Sequence, residues 1–103
     1  MQIFNANDPT LVEAADEFRI VTGTVTSVGQ TKSRTYLNFS DNWSLDFTAS
    51  IRKRDMGNFK TAGMDLKYLS GKTVRVRGWM DVWRGPHMGL SHPEQIEVIR
   101  EDR

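Results

Sequence analysis

Residues 72–83 alternate without interruption. Val74, Val76, Gly78, Met80 and Val82 fall on one side, and Arg75, Arg77, Trp79, Asp81 and Trp83 on the other. A period of two over that length is a two-faced strand and not a helix, whose apolar positions recur every three to four residues. A strand this long, with one apolar face, needs a wall of other strands around a shared core. The rest of the chain therefore has to supply short strands and tight connections.

It does so in order. Residues 18–28 are rich in β-branched side chains, which favour pleated structure. Gly23 sits within them, where a small barrel is expected to bend its long first strand. Residues 29–34 read as a polar, basic turn. Residues 36–39 form a second strand and residues 40–42 its hairpin turn. Residues 43–51 alternate again, with Trp43, Leu45 and Phe47 on the core side.

Between residues 52 and 70 the alternation is lost. Gly57 and Gly63 argue against one long helix, so a short helix is expected near residues 62–69, stopped at Ser70 and Gly71. After the long strand, Arg84, Gly85 and Pro86 read as a turn. Residues 86–92 are a further strand with Met88 and Leu90 inward, and residues 96–99 are expected to close the barrel. Before residue 18 the chain reads as a lead-in with one helical turn, Thr10 acting as its cap and Glu13 as the capping-box partner.

This order predicts an all-β fold: a five-stranded barrel with a short helix between the third and fourth strands, the OB-fold arrangement. The lead-in spans residues 1–17, the barrel domain 18–99 and a charged tail 100–103. With 103 residues the chain has room for one modest core. It has no cysteine, which removes disulfides, thiolate metal sites and cysteine nucleophiles. No apolar run approaches the roughly 18 residues of a membrane span. The first residues lack the basic start and apolar stretch of a signal peptide. Composition leaves the compartment open.

The net charge of +1 is unevenly laid out. Residues 32–84 carry eleven Lys or Arg against five Asp or Glu, and both flanks are net acidic. A basic middle of this kind attracts phosphate. The expected nucleic-acid surface is the outer face of the second and third strands, where barrels of this type bind single strands. It comprises Lys32, Arg34, Tyr36 and Asn38, then the triplet Arg52, Lys53 and Arg54, with Arg75 and Arg77 on the long strand. The alternatives are a solvated turn and a Tyr36 that only packs on its neighbour strand. Arg84 and His87 border the last turn and extend a basic rim. Trp79 and Trp83 share the outer face of the long strand, where they stack bases, cover the helix or anchor a protein partner or a homodimer.

Several blocks also resemble a known family. They are residues 36–39 followed by 45–48, residues 71–79, Gly85 with Pro86, and residues 92–97. Together they resemble the OB-fold domains found beside, or related to, the staphylococcal-nuclease-like thermonucleases of bacteria. The resemblance covers roughly residues 18–99. It implies an OB fold and nucleic-acid binding. The nuclease proper uses a calcium-linked acidic set with two arginines, and the isolated Asp46 and Asp81 do not reproduce it. His87 and His92, the only histidines, lie five apart with no cysteine, so no metal site is expected. No phosphate-binding glycine motif occurs, and no cofactor is expected. The leading expectation is a noncatalytic nucleic-acid-binding module with low sequence preference and no catalytic residues. A protein-interaction or homodimerisation module is the first alternative, and a metal-dependent nuclease the second.

Overall fold

A computed structural model describes residues 2–41 and 46–99. Its strands are β1 (Ile3–Asn5), β2 (Glu17–Thr24), β3 (Ser27–Gln30), β4 (Arg34–Asn38), β5 (Thr48–Arg52), β6 (Thr73–Trp83), β7 (Gly85–Leu90) and β8 (Ile96–Val98). One helix, α1 (Met56–Thr61), lies between β5 and β6. No helix of the described residues is long and apolar enough to cross a membrane.

The alternation at residues 72–83 becomes β6, the strand around which the sheet is arranged. Along one edge β6 pairs antiparallel with β2, from Glu17↔Met80 to Thr24↔Thr73. Along the other edge it pairs with β8 at Val74–Val76 and with β7 at Met80–Trp83. Val74, Val76, Gly78 and Met80 are buried as the pattern requires. Val82 departs from it and is 54% exposed, because the end of β6 runs beyond the core.

The hydrogen-bonded path runs β1-β2-β6-β7-β5-β4-β3, with β8 beside β6. Among the described residues it contains eight strands and no ladder that closes it, where the sequence led us to expect five strands closed by residues 96–99. Among the described residues β8 instead pairs with β6 alone. β2 and β3 are nevertheless one nearly continuous stretch of chain, separated only by Val25 and Thr26. The Val25 amide donates to the Lys72 carbonyl and the Thr26 amide to the Asn38 carbonyl. The chain therefore changes partners from β6 to β4 at these two residues, and the bend lies here and not at Gly23. Gly23 stays within the β2–β6 ladder opposite Val74. Its role is close approach: a Cβ there would sit 2.7 Å from the Ala6 Cβ and 3.0 Å from the Phe39 ring.

The helix also differs from expectation. It occupies Met56–Thr61, and the region near residues 62–69 holds only a 3-10 turn at Leu66–Leu69. Gly57 lies inside α1 and is exposed, which costs about 1 kcal/mol relative to alanine. Complete burial of Phe59 against the core outweighs that cost. Gly63, at φ 76°, is the stop. The Met64 amide donates to the Phe59 carbonyl and the Gly63 amide to Lys60, a Schellman ending. Near the N-terminus, the expected Thr10 cap is absent. Asp8 instead accepts from the Thr10 amide and hydroxyl at 2.9 and 2.8 Å, and these bonds hold its carboxyl below the usual range.

Leu37, Phe47, Ala49, Ile51, Val74, Val76, Met80 and Met88 form the centre of the core. Phe39 and Phe47 meet there with ring centroids 5.2 Å apart. Trp43 and Leu45, expected on the same face as Phe47, lie outside the described residues.

Gly23→Ala is expected to destabilise the protein by about 1–3 kcal/mol through overpacking against Ala6 and Phe39. Gly89→Ala, whose Cβ would meet nothing within 4 Å, is expected to be neutral or stabilising by up to about 1 kcal/mol. Urea unfolding of both variants measures the contrast.

Candidate nucleic-acid interface

Alternation along β4 puts Thr35 and Leu37 inward and Arg34, Tyr36 and Asn38 on the opposite face. The register carries that face across the sheet. Arg34 lies opposite Arg52, Tyr36 opposite Ser50 and Asn38 opposite Thr48. Thr48 is in turn opposite His87, and Ser50 opposite Gly89. The outward positions of β7 are therefore Gly85, His87 and Gly89, so two of the three carry no side chain. They leave a groove over β7.

Trp83 fills that groove. β6 and β4 are three strand spacings apart, about 14 Å in a flat sheet. Yet the Trp83 and Tyr36 rings stack at a centroid distance of 6.0 Å and 23° between planes. The Arg34 guanidinium stands 5.7 Å from the Trp83 centroid, a cation–π contact. His87 meets the same indole edge-on at 5.5 Å. The half-exposed Trp83 thus belongs to the β4–β5 face, where it adds a second ring to Tyr36.

Beneath the indole lies a polar chain. His87 Nδ1 is 2.7 Å from Asp81 Oδ1, and His87 Nε2 is 2.8 Å from Ser50 Oγ. A carboxylate only accepts, so Nδ1–H donates to Asp81, and in the tautomer that carries its proton on Nδ1 alone Nε2 accepts the Ser50 hydroxyl. Arg34 Nη1 donates to the same Ser50 oxygen at 3.5 Å. These ring-nitrogen roles match those of a serine-hydrolase triad, but two requirements fail. Ser50 is only 1% exposed. It also lies on an inner strand, whose backbone is paired on both sides and offers no oxyanion donors. The chain of bonds acts as a support that fixes His87 under Trp83.

The support lies at the edge of a cleft of about 500 Å³, lined by Arg34, Arg52, Arg54, Asp55, Asp81 and Trp83 among others. Three guanidiniums face two carboxylates there, and one of those carboxylates is engaged by His87. On the other side of Trp83 a second cleft, about 460 Å³, is lined by Gln30, Tyr36, Asn38 and Arg84. Lys32 and Lys53 line a smaller one of about 220 Å³, which Arg34 also borders. The expected residues Lys32, Arg34, Tyr36, Asn38, Arg52, Lys53 and Arg54 thus surround one region.

Arg75 and Arg77 stand apart. Both pair with Glu97 of β8, at 3.5 and 3.9 Å, and line none of these clefts. Trp79 is also separate from Trp83. It is 58% exposed and lies opposite the half-exposed Phe18 on β2. Among the described residues no group of three or more His, Asp or Glu side chains is placed to hold a metal.

The sequence did not bring Ser50, Asp81 and His87 together, although a signal existed. Only Arg84, at φ 71°, separates β6 from β7. Residues equidistant from Arg84 therefore face each other, Trp83 with Gly85 and Asp81 with His87. Reading Arg84, Gly85 and Pro86 as a three-residue turn concealed that symmetry.

No family model matches the chain, and no curated protein matches it. Solved structures do. The OBody AM1L10 bound to hen egg-white lysozyme is similar at 16% identity with a TM-score of 0.57, over 87% of this chain and 86% of that one. The Stn1–Ten1 complex of S. pombe is similar at 16% identity and TM-score 0.57, over 82% of this chain and 59% of that one. The asparaginyl-tRNA synthetase of Entamoeba histolytica is similar at 10% identity and TM-score 0.58. There the match covers 99% of this chain but only 24% of the synthetase. At these identities the likeness is one of fold, and it identifies an OB-like β domain.

His87→Ala is expected to cost about 1–3 kcal/mol, because the buried Ser50 hydroxyl loses its acceptor. Asp81→Asn is expected to cost less, about 0.5–1 kcal/mol, because the half-exposed position stays hydrated and the amide oxygen still accepts. Chemical denaturation of the two variants measures the order, and equal losses would contradict the support role.

Proposed function

We propose that this chain is a noncatalytic OB-fold module that binds single-stranded DNA or RNA, mainly through the phosphate backbone, on the outer face of β4, β5 and β7. Its barrel has five strands in this reading. β2 and β3 are two halves of one strand bent at Val25 and Thr26, β4 to β7 follow, and β1 and β8 are additions. Kinship with thermonuclease-associated domains belongs to the same proposal and rests on the sequence blocks 71–79 and 92–97.

The supporting observation is the stack of Arg34, Trp83 and Tyr36, flanked by Arg52 and Arg54 in the adjoining cleft. Single strands need cations that follow phosphates and ring faces that take bases, and this face offers both. The asparaginyl-tRNA synthetase is, by name, a protein that acts on RNA, which agrees with the reading.

A second reading has its own support. Phe18 and Trp79 form an exposed cross-strand pair away from the clefts, suited to a protein partner or a second copy. The OBody, bound to lysozyme, is a protein binder of similar fold.

Titration of a labelled dT or rU oligomer at two salt concentrations tests the first reading. Affinity is expected to fall with salt, and Arg34→Ala and Arg52→Ala each to reduce the log–log slope by about 0.7. Trp83→Ala is expected to cost about 1–3 kcal/mol. No binding at low salt would overturn the proposal. Self-association lost in Phe18→Ala/Trp79→Ala, measured by solution mass, would favour the second reading.

A further inference from the structure

We propose that His87 is a fourth anion-binding group of the arginine cleft. It acts there as the imidazolium, so that seating a phosphate in the cleft takes up a proton. The inference rests on the nucleic-acid reading of this face. His87 is 8% exposed and lines the cleft of about 500 Å³ together with Arg34, Arg52 and Arg54. Histidine is the side chain whose ordinary titration, at about pH 6.5, falls in the physiological range. A charge gained or lost at this ring changes the charge of the cleft wall.

The charges around the ring set the direction of the coupling. On β6 the Asp81 carboxylate accepts from Nδ1 and favours a charged ring. Against it stand Arg34 on β4, which shares Ser50 Oγ with the ring, Arg52 on β5, and Arg54 just beyond β5. Arg34 and Arg52 are directly opposite in the ladder, and like charges so placed repel. None of the three is ion-paired among the described residues. Asp55 is the other carboxylate of the cleft, while Arg84 and Tyr36 line the cleft on the other side of the indole. In the absence of an anion, three guanidiniums against two carboxylates oppose a further positive charge. A phosphate among the guanidiniums removes that opposition.

The hydrogen bonds add a second link. With the proton on Nδ1 alone, the Ser50 hydroxyl donates to Nε2 at 2.8 Å. In the imidazolium Nε2–H donates instead. Ser50 Oγ then accepts from Nε2 with one lone pair and from Arg34 Nη1 with the other. The Ser50 hydroxyl hydrogen is released from the ring and needs a new acceptor, because a buried donor left unpaired is costly. Ser50 also lines the cleft, where a phosphate oxygen supplies that acceptor. Charge and hydrogen bonding thus both favour the proton once an anion is bound. By reciprocity the anion binds more tightly to the protonated ring.

A dT octamer without terminal phosphates keeps a constant charge between about pH 5.5 and 8, the range in which histidine titrates. Its affinity is measured at fixed ionic strength, since salt alone changes it. The affinity is expected to rise about tenfold from pH 8 to 5.5 and to level off once the ring is charged in free and bound chain alike. In NMR, the titration of the His87 ring resonances is expected to move to higher pH by about one unit when octamer is added, the equivalent of that tenfold. His87→Gln is expected to abolish the rise in affinity and His92→Gln to keep it. A wild-type affinity that does not change with pH, a rise that persists in His87→Gln, or a His87 titration unmoved by octamer would overturn the proton linkage and leave the binding face intact. The NMR comparison uses the wild-type chain, so a His87→Gln variant that fails to fold still leaves a decisive result. No binding of the octamer at low salt at any of these pH values would overturn the face, and the linkage with it.

Discussion

The backbone ladder of β6 is the constraint on which the rest of the structure depends. This eleven-residue strand has partners on both edges, β2 along Thr73–Met80 on one and β8 at Val74–Val76 and β7 at Met80–Trp83 on the other. An inner strand of this kind must bury one face, and Val74, Val76 and Met80 supply it without a gap. Close packing then imposes its own demands. Gly78 faces Gln95 and Met88 at distances a Cβ would have to displace, 3.0 and 3.3 Å. The Gln95 amide donates to the Arg77 carbonyl, and its oxygen accepts from the amides of Ser91 and His92. The chain after β7 is thereby tied back to β6, which sets up the short β8 ladder.

The same strand reaches beyond the core and becomes part of the binding face. Once Met80 has been buried, nothing apolar remains for the end of β6 to cover. Val82 is exposed, and Trp83 lies across the side-chain-free positions of β7 towards Tyr36. The turn at Arg84 fixes which residues meet there. It puts Asp81 opposite His87, and His87 then reaches Ser50 on β5. A histidine in a sheet has a ring that rotates about two bonds. Hydrogen bonds at both nitrogens remove that freedom, so the indole above it rests on a fixed edge.

Electrostatics on this face is local. Near-neutral total charge produces no strong long-range field, and salt limits exposed charges to roughly 10 Å at moderate ionic strength. What matters is which charges are already engaged. Arg75 and Arg77 share Glu97, whereas Arg34, Arg52 and Arg54 surround an open cleft. The six-charge excess of the central segment, visible in the sequence, therefore divides into a structural part and a part available to an anion.

By itself the sequence determined the elements whose information is local. The alternation of residues 72–83, the inward Met88 and Leu90, and the outward Arg34, Tyr36 and Asn38 all follow from a period of two. So does an OB-like β domain. The helix was misplaced because glycine propensity is worth only about 1 kcal/mol, less than the burial of Phe59. Gly23 was read as a bend because close approach of Ala6 and Phe39 cannot be seen along the chain. The tertiary structure alone decided that Trp83 joins Tyr36, that Ser50, His87 and Asp81 form one chain of bonds, and that Arg75 and Arg77 turn to Glu97. Each of these depends on register between strands distant in sequence, and register follows from ladders and turns that local periodicity does not encode.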